Sequence, residues 1–430
     1  MRQTMPLPRK PAPRVARVKQ HLPTDHIADV RGETRRKLIE SKLLNQINSG
    51  GPGARVAITA GSRGIGGLLD LLAGVVDAVK ERGGAPFIIP AMGSHGGATA
   101  EGQREILRIL GVNETSVGAP IEATMETVEL GRAENGAVAH VDKLAFEADG
   151  VIVLGRVKTH PESAAALASG LLKMATVGLG KQRGAQEAHN HGLWPSVRAV
   201  PKLQLAKSKI LCGVAVVENA YRQPVAVEVA PPDYEAWLET DMRLLNTAKS
   251  HLAAIPFNDL DVLVVDEVGK DVSGAGMDPN IIGHWRITGG ERVPNFRRIV
   301  ALSLTAASLG NGIGAGLADF TTRRFVDAYD PAVSYVNILT ASEPGGTTRE
   351  GPMPLALASD REAIEVALFS SLAGDAPRLC RIRNTAALGE FWVSEAMMDE
   401  VKENPKLSVI EPLAPMAFDG EGNLFGAVEQ

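Results

Sequence analysis

Short apolar runs rich in β-branched residues alternate with segments of helical periodicity along this chain, and that alternation limits the fold more than any other feature. Residues 54–59 are followed by 68–81, 86–90 by 100–110, 150–154 by 164–176, and 209–217 by 234–251. Such alternation marks βαβ units wound around a mostly parallel sheet. The stretch Ala253-Ala-Ile-Pro256-Phe-Asn-Asp259 carries Pro and Asn after a long helical pattern and precedes a new strand at 261–266, so it reads as a linker. Beyond it come a strand at 298–304, a Gly-rich run at 309–316, helices around 318–328 and 360–372, and a strand near 379–382, with no internal repeat.

A chain of 430 residues exceeds what one hydrophobic core usually serves, so two domains are expected. We expect a flexible arm over residues 1–16, rich in Pro and Arg. An N-terminal cofactor-binding α/β domain over 17–255 follows, then a C-terminal α/β domain over 256–430 whose last segment packs back on the first. The fold class is α/β, two domains with mostly parallel sheets and the active site in the cleft between them. With 44% hydrophobic and 22% charged residues, no apolar run near the ~20 residues of a bilayer helix, and no signal-like amino terminus, a cytoplasmic protein without a membrane partner is expected. A formal net charge of −5 offers no field for a nucleic-acid backbone. Cys212 and Cys380 lie in apolar strand-like runs and read as small buried hydrophobes.

One motif points toward nicotinamide chemistry. Ala60-Gly61-Ser62-Arg63-Gly64-Ile65-Gly66 follows a strand and opens a helix, like the turns that hold a pyrophosphate on backbone N–H groups. Short-chain dehydrogenases also need a Tyr with a Lys four residues on. None of the four tyrosines has one: Tyr221, Tyr234, Tyr329 and Tyr335 are followed at that spacing by Val225, Leu238, Val333 and Leu339. An NAD(P)-dependent oxidoreductase therefore remains only as an alternative, as does a non-catalytic protein that binds a nucleotide or an organic anion.

The densest gathering of reactive side chains is Arg156-Val-Lys158-Thr-His160, then Ser169-Gly170-Leu-Leu-Lys173, then Lys181-Gln-Arg-Gly184-Ala-Gln-Glu-Ala-His189-Asn-His191-Gly192. A further histidine, His95, sits in Gly93-Ser-His95-Gly96-Gly97. Isolated loop histidines can be satisfied by backbone groups, and Lys173, set among Leu171, Leu172 and Met174, could extend its flexible stem to water. An unpaired ammonium in that apolar run would be costly to bury, so an ion-paired or derivatised lysine makes physical sense. Lys158 and Lys181 flank the cluster, where they could meet a cofactor phosphate or simply be exposed loop charges.

In this order, Ser62-Arg63, the turn at His95, Lys158-Thr-His160 leading to Ser169-Gly170-x-x-Lys173, and then His189 resemble the nickel-dependent lactate racemase family, firmly from Arg55 to Gly192 and loosely beyond. The resemblance implies an isomerase, a racemase or epimerase of a 2-hydroxy acid. It implies a nickel-pincer nucleotide, pyridinium-3,5-bisthiocarboxylic acid mononucleotide with nickel, attached through a thioamide at the position of Lys173. It gives the nickel ligand to His189 in preference to His191, the acid–base pair to His95 and His160, and the substrate carboxylate to Arg63 with Ser62 beside it. Lys158, Ser169, Gly170 and Lys181 fall around the cofactor. Partners on this reading are the small hydroxy acid and cofactor-building enzymes, without which recombinant protein would be apo, and the oligomeric state stays open. The residue types suit that chemistry: imidazoles titrate near neutrality and serve both directions of a reversible proton transfer, a guanidinium fork matches a carboxylate, and neutral imidazole ligates nickel.

The second half departs from the family. On an alignment anchored at Asp278-Pro279-Asn280, Gly283 replaces a Gln and Arg286 a Lys, Ala60 stands where the founding members carry an Asp, and Trp392 gives no secure match to a late tryptophan. Arg286 could hold a second carboxylate, and the loss of Gln at Gly283 could admit a bulkier group. A larger, dicarboxylic or sugar acid is expected before lactate.

Overall fold

The computed structural model describes residues 7–50, 53–62, 65–159, 169–341 and 348–425. The chain divides into two compact α/β units, one of residues 23–159 and 169–252, the other of 7–22 and 253–425. The boundaries differ from those expected. The crossing at 252/253 lies at the start of the anticipated linker, and residues 14–16 of the expected arm belong to β1 (Arg14–Gln20), a strand of the second unit.

The first unit carries a five-stranded sheet formed by β2 (Arg55–Ala60), β3 (Ala85–Pro90), β6 (Gly150–Arg156), β7 (Ile210–Glu218) and β8 (Pro224–Ala230), ordered β3-β2-β6-β7-β8. The first four run parallel and β8 pairs antiparallel with β7. Between β3 and β6 the chain forms a hairpin, β4 (Thr127–Arg132) and β5 (Val138–Asp142). Both faces of the sheet are covered, because neighbouring residues on each strand serve different cores. Val56, Ile58, Ile152, Leu154, Val214 and Val216 pack with the helices Val30–Ser41 and Leu68–Glu81, whereas Ala57, Val151, Val153, Ala215 and Val217 pack under Trp237, Leu171 and Leu193. A strand buried on both sides needs no polar face, which is why these segments read as continuous apolar runs. β3 lies on one side of β2 and β6 on the other, so the winding reverses between β2 and β6. In an open parallel sheet the crevice at such a reversal, beyond the carboxyl ends of the strands, is the place where a ligand can be reached by several loops at once.

The second unit holds an eight-stranded sheet, ordered β12-β11-β10-β9-β13-β14-β1-β15. Strands β9 (Asp259–Val268), β10 (Asn295–Leu304), β11 (Phe320–Thr322), β12 (Leu355–Leu357) and β13 (Leu379–Ile382) are parallel. Strands β14 (Glu390–Ser394), β1 and β15 (Leu407–Pro415) continue it in antiparallel fashion. The last segment thus pairs with β1 inside this unit. Where a single helix is expected over 318–328, the chain makes β11 first and then the helix Arg323–Ala328, whose first turn is capped by Thr322. Both cysteines are buried, as the apolar runs around them require. No helix of the described residues is long and apolar enough to cross a membrane.

β1 takes its place between β14 and β15 by strict alternation. Ala16 and Val18 are fully buried, while Arg17 points outward to Glu390 of β14 at 2.7 Å and Glu411 of β15 at 2.8 Å. Val18→Ala should cost about 2 kcal/mol, the value of a fully buried valine side chain, and appear as a lowered thermal transition in circular dichroism. An unchanged transition would mean that the strand is dispensable.

Candidate functional site

The chemistry-bearing segments of the first unit leave its sheet at one edge. β2 runs into Gly61-Ser62, β3 into the turn Ala91–Thr99 that holds the exposed His95, and β6 into Val157-Lys158-Thr159. Arg63, Gly64 and His160 lie outside the described residues, so the expectations placed on Arg63 and His160 remain expectations. Lys158 and Ser169 exchange backbone hydrogen bonds of 3.1 and 3.2 Å. Ser169 and Gly170 lead directly into a helix that starts as Leu171–Lys173 and continues as one π-helical stretch, Met174–Leu179. Wide helical turns of this type recur at functional sites because they displace side chains from the regular register.

That helix lies against the carboxyl ends of three strands. A side chain at Gly61 would come within 3.2 Å of Met174 Cε, one at Gly155 within 3.3 Å of Gly170 O, and one at Gly93 within 3.3 Å of Val177 O. At Gly178 it would overlap Met174 Sδ at 2.5 Å and Ala91 O at 2.8 Å. Glycine at these points lets the Ser62, His95 and Lys158 segments approach the helix that carries Lys173 closely.

Lys173 is half-buried, and its Nζ lies 5.9 Å from the centre of the Trp194 ring, within range of a cation–π contact. Its helix is capped from a distant element. Asp241, on the helix Tyr234–His251, accepts hydrogen bonds from Leu171 N at 2.9 Å and Leu172 N at 3.1 Å. Its carboxylate takes the space that a side chain at residue 170 would need, the built contact being only 2.3 Å, so Gly170 is a requirement of the cap. Burial pushes the Asp241 carboxyl up to about 6, against the pull of the two N–H groups. Gly170 therefore shapes the helix start, and nothing in its contacts assigns it to a cofactor.

His189 and His191 differ sharply in their surroundings. His191 ends the helix Lys181–Asn190 with Nδ1 on Glu187 O at 3.1 Å and near Glu187 Oε2 at 3.5 Å. Among the described residues, His189 Nδ1 is buried without a hydrogen-bond partner. Buried ring nitrogens are normally satisfied, so this one is available to a ligand in a way that His191 is not. Trp194, five residues beyond His189, brings this end of the chain back to Lys173.

Three expected site residues are otherwise engaged. Lys181 is fully buried, with Nζ donating to Pro90 O at 2.7 Å and Gln103 Oε1 at 2.8 Å and paired with Asp142 Oδ2 at 3.2 Å, so it cannot meet a cofactor phosphate. In the second unit, Arg286 donates to Leu317 O, Asp319 Oδ2 and Phe296 O at 2.9, 3.2 and 2.7 Å, and burial pushes its guanidinium below the ordinary range. It is a structural tie, and the second-carboxylate role expected of it falls away. Gly283 has φ +100°, and a side chain there would meet Trp285 Nε1 at 2.6 Å. The space beside Gly283 expected for a bulkier group thus holds that indole.

The glycine-rich turn also departs from a nucleotide cradle. Gly66 N–H donates to the carboxylate of Glu218 at the end of β7, and Glu218 pairs with Arg156. Packing against Arg222 O leaves no room for any side chain at residue 66. An amide that a pyrophosphate would need is thus occupied by a negative group, which opposes the nicotinamide alternative. Asp241, Gln103, Asp142 and Glu218 all went unread in the sequence. Only Asp241 leaves a trace there, an acid within the buried stripe Trp237, Thr240, Leu244, Leu245, Ala248 of its helix.

The family described as "Domain of unknown function (DUF362)" matches residues 69–356, more than half of the chain. No curated protein matches. Among solved structures, the lactate racemase apoprotein from Thermoanaerobacterium thermosaccharolyticum is similar, with a TM-score of 0.49 and 11% identity over 87% of this chain and 99% of that one.

The Asp241 cap has a testable pH signature. Its carboxyl protonates at about 6 in the folded chain and near 3.9 when unfolded, so the folded state binds the proton more tightly. The stability contributed by the protonated form is full below the unfolded value and is lost as pH rises through about 6, a change on the order of 3 kcal/mol. Asp241→Asn keeps an acceptor and removes the titration. Its melting temperature should gain on wild type between pH 4 and 7, and a constant difference would contradict the assignment.

Proposed function

The chain belongs to the DUF362 family, whose description carries no activity, and from that premise we propose that it is a racemase or epimerase of a 2-hydroxy carboxylic acid that uses a nickel-pincer nucleotide. The observation that carries this reading is the convergence of the Ser62, His95 and Lys158 segments on the helix bearing Lys173, at the carboxyl edge of one parallel sheet.

The residues present fit such a group. Among the described residues no three His, Cys, Asp or Glu side chains are placed to hold a metal ion together. A nickel ion held by an organic pincer would ask little of the chain, and His189, whose Nδ1 is buried without a hydrogen-bond partner among the described residues, would be the imidazole that holds it. Lys173, half-buried beside Trp194, would hold the nucleotide through its amine. When bound, the group supplies a hydride acceptor, needed because the carbon-bound hydrogen of a hydroxy acid is barely acidic.

The chain's own side chains would do the rest. Arg63 would orient the substrate carboxylate through its fork. His95 and His160 would take the hydroxyl proton on one side of the substrate carbon and return it on the other, imidazoles near neutrality being able to work in either direction. Arg286 is engaged by Leu317, Asp319 and Phe296, so on this reading the substrate is a 2-hydroxy acid with no second carboxylate held there.

Co-expression with a nickel-pincer biosynthesis system, followed by intact mass and metal analysis, tests the assignments residue by residue. Lys173→Ala should lose the mass adduct, His189→Ala should keep the adduct and lose most of the nickel, and His191→Ala should keep both. Absence of nickel and adduct from wild type, or nickel lost with His191 and retained without His189, would overturn the reading.

A further inference from the structure

We infer that Lys181 is a positioning residue, a buried ammonium whose acceptors lock the His95 turn to the two helices that carry Lys173 and His189. The inference rests on the proposed function for what the site does, but its structural content can be tested without it.

Four observations lead to it. First, Lys181 is fully buried and has φ +56°, in the left-handed region where glycine or asparagine is the usual occupant. A lysine kept there at a conformational cost is kept for its side chain. Second, its three neighbours come from three separate elements: Pro90 O at the end of β3, Gln103 Oε1 on the helix Ala100–Ile109, and Asp142 Oδ2 at the end of β5. Pro90 O and Gln103 Oε1 accept hydrogen bonds from the ammonium, and the Asp142 carboxylate pairs with its charge at 3.2 Å.

Third, Gln103 passes the restraint on. Because Lys181 holds its Oε1, its amide nitrogen must face the other way, and it donates to Gly93 O at 2.9 Å and His95 O at 3.2 Å. Gln103 is itself fully buried. Fourth, Lys181 stands at the junction between the helical stretch ending at Leu179 and the helix Lys181–Asn190, eight residues after Lys173 and eight before His189. Asp142 fixes the far side of the cage, with Oδ1 accepting from Leu144 N at 2.8 Å and Ala145 N at 3.2 Å. One buried cation therefore sets where the His95 backbone lies relative to the lysine and the histidine assigned to the cofactor. Burial presses Lys181 below the ordinary lysine range while Asp142 pulls it back, so the charge survives only as long as its partners stay in place.

Removing the cation alone would strand Asp142, so the test variant is Lys181→Met with Asp142→Asn, and a second variant, Gln103→Leu, cuts the link to the turn while leaving the ion pair whole. The first readout is NMR of the full-length protein: the His95 ring protons and the amides of residues 93–98. The second is the split of kcat and KM for the cofactor-loaded enzyme. Both variants should move the His95 resonances and its titration midpoint, keep the nickel adduct, and lower kcat about 10- to 100-fold with KM within about twofold, as expected when a reacting group shifts by an ångström or less. His95 resonances unchanged in a folded variant would overturn the inference, whichever of the two variants folds. If wild type proves inactive while the resonances shift, the functional reading fails and the positioning role stands.

Discussion

A parallel sheet buried on both faces leaves only its carboxyl edge for polar chemistry, and the first unit is organised by that constraint. Residues 151–154 and 214–217 are fully buried, so no strand residue between them can carry a reacting group without an unsatisfied polar atom. The reactive segments begin where the strands end. Glycines at positions 61, 93, 155 and 178 let the helix that carries Lys173 settle onto that edge, and each is close to backbone or to Met174. The edge is assembled by removing side chains from the approach surfaces and keeping a few polar groups at the rim.

The buried charges of Asp241, Asp142, Lys181, Asp266 and Arg381 are each met by a partner on another element. Asp241 caps the helix start at Leu171, Asp142 and Lys181 face each other at zero exposure, and Asp266 with Arg381 forms a bidentate pair at 2.8 and 2.9 Å in the second unit. Burial pushes both Asp241 and Asp266 up to about 6. Such pairs add little net stability compared with apolar packing, but breaking one leaves an uncompensated charge, so they fix geometry firmly. The cation of Lys181 and the carboxylate of Asp241 hold the two ends of the Lys173 region, one through Gln103 and the other through Gly170. The rim of the sheet is therefore held by charges buried beneath it.

Much of this was legible in the sequence where the physics is local. Strands 150–154 and 209–217 are continuous apolar runs because both faces are covered, and the helices 68–81 and 234–251 show their periodicity plainly. The hairpin β4–β5 was not readable, since Thr127–Arg132 is only partly buried and mixes charges with apolar residues. β1 was missed because its two inward residues, Ala16 and Val18, follow a Pro- and Arg-rich start. In the site, the difference between His189 and His191 could be named but not explained, because Glu187 satisfies only the second. Lys181 was misread as a rim charge since its acceptors lie at residues 90, 103 and 142, far away in the chain. Arg286 was misread for the same reason, its partners being Phe296, Leu317 and Asp319.

The central claim is that this edge inverts the hydroxyl-bearing carbon of a carboxylic acid. The most direct measurement is chiral analysis of 2-hydroxy acids, including sugar acids, incubated in deuterated water with the cofactor-loaded protein. The account predicts that at least one pure stereoisomer drifts toward its equilibrium mixture while the carbon keeps its own hydrogen. Inversion with deuterium taken up at that carbon, or no inversion of any 2-hydroxy acid by nickel-loaded protein, would contradict it.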